Sequence, residues 1–130
     1  MIGLRVRTED RSRAVLARTK EAGIKNLGHA GAAIRLTARR SIRRGKQPSR
    51  PGTPPHTRRG RLKRALRYVV ERDRERVVVG PEHAVVGPSA MAHEFGGRYR
   101  KERFRRRAFM GPALERTRPR LPRHWAGSVR

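Results

Sequence analysis

The chain has 130 residues, with 35 Lys and Arg against 10 Asp and Glu, a formal charge of +25. That length suits one domain with one modest core, and Ile, Leu, Val and Phe total only 25 residues, so a small fold with charged arms, completed by partners of opposite sign, is expected. No cysteine is present, which excludes disulfides, Cys-ligated zinc and thiol catalysis, and no apolar run approaches the ~18 residues of a membrane span.

In chain order, the first predicted element is a helix over residues 8–44. Leu16, Ile24, Leu27, Gly31, Ile34, Ala38 and Ile42 recur mostly at three- and four-residue steps, one stripe of a helix. Thr8 offers an N-cap, with Glu9 and Asp10 as first-turn acids, while Arg39, Arg40, Arg43 and Arg44 suit the negative end of the dipole. Gly23, Gly28 and Gly31 each cost about 1 kcal/mol against Ala. They mark a kink or a flat surface for close approach of another backbone, and one long helix or two shorter ones both satisfy the pattern.

Residues 45–58 read as a loop, because GKQPSRPGTPPH packs four prolines and two glycines into twelve positions. A short helical turn follows over 59–66. Strands are predicted at 67–71 and 76–80, joined by the charged turn Arg72-Asp73-Arg74-Glu75, with a third β-branched run at 84–88. Residues 89–95 read as a helical turn opened by Pro88-Ser89. In the 98–107 stretch, Phe104 is expected, with Phe109, to anchor a further strand. Met110 to Arg118 reads as a helix with Pro112 in its first turn, where proline is tolerated. The expected whole is one α+β domain over 1–118 (helix 8–44, loop 45–58, antiparallel sheet region 67–109, helix 110–118) and a basic tail over 119–130.

Little in this order resembles an enzyme. Glu82, His83, His93 and Glu94 are the nearest group to a metal set, but they lack a His pair at i and i+4, and both histidines read as turn or surface residues. There is no nucleophile elbow, phosphate-cradling glycine loop or paired-carboxylate site. No catalytic residue and no cofactor is therefore expected. Met1-Ile2-Gly3-Leu4-Arg5 lacks the apolar centre of a signal peptide, so synthesis in the cytoplasm is expected.

The charge says more. Thirty of the cations are Arg, whose charge is permanent at physiological pH. Residues 22–70 hold fourteen Lys and Arg and no acid, a block that repels itself unless something neutralises it. Six aromatic side chains, at least half of them expected in the core, are too few for base stacking. Phosphate-backbone contact remains open. The interface or DNA-channel candidates are Arg39, Arg40, Arg43 and Arg44 at the helix end and Arg58, Arg59 and Arg61 beyond the proline loop. To these the 98–107 stretch adds Arg98, Arg100, Lys101, Arg103, Arg105, Arg106 and Arg107.

Three motifs then occur in order. Thr57, Gly60, Arg61 and Leu62 form the first, Glu94, Phe95 and Gly96 the second, and Phe109, Pro112, Ala113 and Leu114 the third. With the long basic helix before them, they resemble the small head–tail joining, neck and tail-completion proteins of long-tailed, lambdoid-type bacteriophages, over residues 10–118. The chain departs from that pattern at Ala108, where proline is common, and in its very basic 98–107 stretch. Gly60, Leu62, Glu94, Phe95, Gly96, Phe109, Pro112 and Leu114 read as fold determinants, with the Phe and Leu side chains in the core and Phe109 pinning the last helix to the sheet.

The resemblance implies a non-enzymatic virion protein, located at the head–tail junction or tail end and made in the bacterial host. Its implied partners are further copies of itself in a ring, neighbouring junction or tail proteins with acidic faces, and genomic double-stranded DNA through non-specific contact. Six copies would carry about 150 formal charges, whereas a ring roughly 40 Å deep encloses about 24 duplex phosphates. Most arginines must then meet acidic protein, ions or solvent. The alternative is a small nucleic-acid-binding protein of ribosomal type, which predicts tight, salt-steep binding to RNA or DNA by the isolated chain.

Overall fold

The computed structural model describes residues 3–5 and 7–128. A single uninterrupted helix, α1 (Ser12–Ser41), spans about 45 Å at 1.5 Å per residue. It is followed by β1 (Arg43–Arg44), β2 (His56–Thr57), α2 (Arg61–Ala65), β3 (Leu66–Glu71), β4 (Arg76–Pro81), α3 (His83–Val86), α4 (Ser89–Phe95), β5 (Gly97–Tyr99), β6 (Glu102–Phe104) and α5 (Met110–Thr117). Short 3-10 turns occupy Arg72–Arg74 and Arg118–His124. The architecture is α+β, with the long N-terminal helix, small two-stranded antiparallel sheets and a short C-terminal helix.

The helix starts later and stops earlier than its periodicity suggests. Glu9 and Asp10 lie ahead of its first turn, where the Ser12 N–H donates to Asp10 Oδ1 at 2.9 Å and Glu9 pairs with Arg11. Hydrogen bonding from Ser12, its side chain first and then its backbone N–H, lowers the Asp10 pKa. At the other end Ile42 is extended and wholly buried, and this turn of the chain places Arg43 and Arg44 on β1, outside the helix.

β3 and β4 form a regular antiparallel hairpin, with Leu66 opposite Pro81, Tyr68 opposite Val79 and Val70 opposite Val77. These residues share one face, and α1 crosses it at Gly28 and Gly31. A Cβ on Gly31 would lie 2.6 Å from Val77 Cγ2 and 2.9 Å from Tyr68 Cδ2. The close approach is therefore to side chains of the hairpin, not to another backbone. The opposite face leaves Val69 and Val78 exposed. β1 pairs with β2 in parallel, and β5 with β6 in a second hairpin turned by Arg100 at positive φ.

Residues 83–86 form a helical turn, not a third strand. The Glu82 N–H is already bonded to Ala65 O at 2.8 Å and the Gly87 N–H to His83 O at 2.7 Å, so the backbone curls before it can pair with the hairpin. Phe109 is likewise not on a strand. It stands at the start of α5 and, 1% exposed, joins Ala38, Ile42, Leu62, Leu66, Ala90 and Ala113 in the main core. It thus pins α5 mostly to helices.

Beyond α5 the chain does not leave the body as a free basic arm. The 118–124 turn returns along α1, where His124 stacks on His29 with ring centres 5.9 Å apart. Val129 and Arg130, the end of the expected tail, lie outside the described residues.

Alanine makes up six of the twelve buried apolar residues described, so this core is thin. The accessible surface is 10,780 Å², while a compact monomer of 14.9 kDa exposes about 7,000 Å². Ser12–Glu21 contributes to the excess, because its three turns of helix are exposed throughout.

Candidate functional site

The arginine candidates fall into two groups according to what holds them. Arg61 Nη2 donates to Val85 O at 2.8 Å, Arg58 Nε to Lys46 O at 3.0 Å and Arg106 Nε to Glu94 O at 3.1 Å. Arg107 is half-buried, with Nε on Ser49 O at 2.8 Å, and its backbone N–H bonds His93 O at 2.7 Å. These four tie loops and short helices to one another. Arg35, which the sequence reading missed, does the same by donating from Nε to Leu66 O at 2.7 Å, locking α1 to β3.

The side chains of the second group have no hydrogen-bond or ion-pair partner among the described residues. Arg39, Arg40, Arg43, Arg44, Arg59, Arg98, Lys101, Arg103 and Arg105 are exposed, and Arg100 lies over the Tyr99 ring at 5.4 Å. Six ion pairs are present among the described residues, and they use Arg11, Arg67, Arg72, Arg74, Arg76 and Arg118. None of the fourteen candidates belongs to that set. The best-formed pair joins Arg76 to Glu71 across the β3–β4 hairpin; its hydrogen bond lowers the Glu71 pKa and raises that of Arg76.

Two basic hollows organise these cations. One, of about 620 Å³, is lined by Arg40, Arg43, Arg116, Arg120 and His56, with Thr37, Ser41, Thr53 and Pro54. It combines the end of α1, expected at an interface, with the proline loop and with Arg116 and Arg120, which sequence reasoning missed. Arg116 lies in the last turn of α5 and Arg120 beyond it, after Pro119, and no local sequence signal joins them to the end of α1.

The second hollow, of about 470 Å³, brings Arg58 beside Arg103, Arg105 and Arg107 with Lys46, and so joins two stretches far apart in sequence. Ser49 Oγ and His93 Nδ1 are buried there without hydrogen-bond partners. His93 is half-buried rather than at the surface, and burial, then the Arg107 charge, lowers its pKa.

The residues read as fold determinants divide more sharply. Glu94 is the centre of the arrangement. Its Oε2 accepts the N–H groups of Phe109 and Met110, each at 2.9 Å, and its Oε1 accepts that of Gly111 at 2.8 Å. A carboxylate thus caps the start of α5, satisfying donors that have no partner inside the helix. Pro112, in the same first turn, has no N–H to satisfy.

Gly60 takes φ of +72° and Gly96 φ of +73°, and a Cβ on Gly96 would sit 3.3 Å from the Arg106 backbone N. Leu62 and Phe109 are buried as expected. Phe95 and Leu114 are not, at 70% and 43% exposed. The Phe109 ring occupies the centre of the core, and the chain turns away at Gly96 with Phe95 left outside. Of the six aromatic side chains only Phe109 is buried, fewer than the expected half.

Chemically, this surface can bind anions through many fixed guanidinium forks. Among the described residues no three His, Cys, Asp or Glu side chains gather where they could hold a metal ion, and no helix is long and apolar enough to cross a membrane. A scan against protein-family models finds no match, and searches of curated proteins and of solved structures find no significant match either.

Proposed function

We propose that this chain is a structural subunit of a bacteriophage head–tail junction, with a neck, tail-completion or tail-terminator role. It joins with copies of itself in a ring around the DNA channel and contacts acidic faces of neighbouring virion proteins. The observation that carries this reading is the meeting of the three ordered motifs: Leu62 packs with Phe109, and Glu94 caps the helix that begins beside Phe109. Residues that resemble one family in sequence order thus support one another in space.

Two magnitudes support the same reading. The exposed surface exceeds that of a compact monomer by roughly 3,800 Å², and a subunit with two ring neighbours covers about 1,600 Å² at standard interfaces. The fourteen candidate cations also have no carboxylate partners within the described chain.

Electron microscopy of particles made without the gene tests the proposal. Separate heads and tails, or tails with faulty ends, are expected. Normal infectious particles would contradict it.

A further inference from the structure

We propose that the hollow formed by Arg40, Arg43, Arg116, Arg120 and His56 is a socket for a short acidic peptide segment of a partner protein, one that presents closely spaced Asp or Glu side chains. This refines the acidic-neighbour part of the head–tail reading but stands on the hollow itself, whether or not the chain works in a virion.

The lining defines the ligand. Four guanidiniums face a space of about 620 Å³, within the range of small-ligand sites, and no acid lines it. None of the four has a hydrogen-bond or ion-pair partner among the described residues, in contrast to Arg58 and Arg107 at the second hollow. Such a concentration is tolerable because Arg40 and Arg116 lie in the last turns of α1 and α5, where the helix dipole favours cations.

The hydroxyls nearby are already committed: Ser41 Oγ donates to Ala38 O at 2.7 Å and Thr53 Oγ1 to Arg50 O at 2.6 Å. His56 Nδ1 sits 3.0 Å from Gln47 O, an acceptor only, so Nδ1 carries the proton and Nε2 stays free. The donors left for a ligand are therefore charged forks, which suit planar carboxylates in bidentate pairs.

Shape decides between acidic protein and DNA. A duplex carries its phosphates on a rod, about one charge per 1.7 Å of axis, and a rod lies across a concavity instead of entering it. A peptide segment with protruding carboxylates fills it. The wall between α1 and α5 is packed through buried Ala38, Ala113 and Thr117, with Thr117 Oγ1 3.2 Å from Thr37 Oγ1, so the cavity precedes its ligand.

Fluorescence anisotropy of a labelled octaglutamate peptide and of a labelled 20-base-pair duplex, each titrated with the full chain at physiological salt, tests the socket. Arg40→Ala/Arg43→Ala/Arg116→Ala is compared with Arg98→Ala/Arg100→Ala/Lys101→Ala on the β5–β6 hairpin, which removes the same charge. The first triple should weaken peptide binding at least tenfold and the second less than twofold, with the duplex affected similarly by both. Thr53→Asp, which places a carboxylate in the hollow and leaves every arginine in place, should also weaken the peptide at least tenfold. Equal loss from both triples, no peptide binding by the unaltered chain, an unchanged Thr53→Asp affinity, or selective loss of the duplex in the first triple would each overturn the socket. None of these results bears on particle assembly, so the head–tail reading fails or stands separately.

Discussion

Three backbone N–H groups at the start of α5 share one carboxylate, that of Glu94, and no other side chain described caps that end. Glu94→Ala should lower stability by about 1–3 kcal/mol, because the part-buried donors of Phe109 and Met110 lose their acceptor, with the exposed one of Gly111. Glu94→Gln keeps an acceptor oxygen but loses the charge, and should cost less. Urea unfolding checks both, and unchanged midpoints would contradict the cap.

His93, on the same helix, gives a pH signature. Its folded pKa lies below the ordinary 6.5 because burial and Arg107 disfavour the imidazolium. The unfolded chain therefore binds its proton first. The contribution to stability is full above about pH 6.5 and is lost as pH falls from there through the lowered folded value. His93→Gln should flatten that part of the stability profile, and a profile identical to the unaltered chain would contradict it.

Residue identity alone marked Glu94 as important but not why, since its three partners lie fifteen to seventeen positions away. Phe95 differs for the mirror reason: a large ring before two glycines reads as core, yet Phe109, arriving from fourteen positions later, is the ring that the core buries.

At the scale of elements, the glycines of α1 behave differently although composition cannot separate them. Gly23 has nothing within 4 Å of its missing Cβ, whereas that of Gly31 would press on Val77 and Tyr68. Gly23→Ala should therefore stabilise by up to about 1 kcal/mol through helix propensity. Gly31→Ala should destabilise by about 1–3 kcal/mol less that gain, since β-branched Val77 cannot easily turn away. Thermal unfolding of the two variants should move in opposite directions, and equal shifts would contradict the packing of α1 on the hairpin.

The elements that periodicity announced are present: α1, the β3–β4 hairpin, α4 and α5 all stand close to their expected places. Those set by long-range contacts were not legible. The β-branched run Val85-Val86 curls into a helical turn, because Glu82 N–H is held by Ala65 O and the N–H groups of Val85, Val86 and Gly87 bond back to Glu82 and His83. The 118–124 segment turns back because His29 and the α1 groove receive His124 and Trp125, which no local pattern encodes. Arg116 and Arg120 meet Arg40 and Arg43 for the same reason, through folding across more than seventy positions.

For the molecule as a whole, a charge of +25, a thin alanine-rich core and a large exposed surface have one physical consequence. Isolated copies repel one another, and the protein gains stability from whatever covers its arginines. On the proposed reading, six copies in a ring would exceed the enclosed DNA charge several-fold, leaving acidic protein neighbours, ions or solvent to compensate most of the arginines. The most direct measurement is cryo-electron microscopy of intact particles carrying a tagged form of this chain. The account predicts a ring of density for the chain between head and tail or at the tail end, with its arginine hollows against acidic neighbours. Particles that contain no such density, or that place the chain elsewhere, would contradict it.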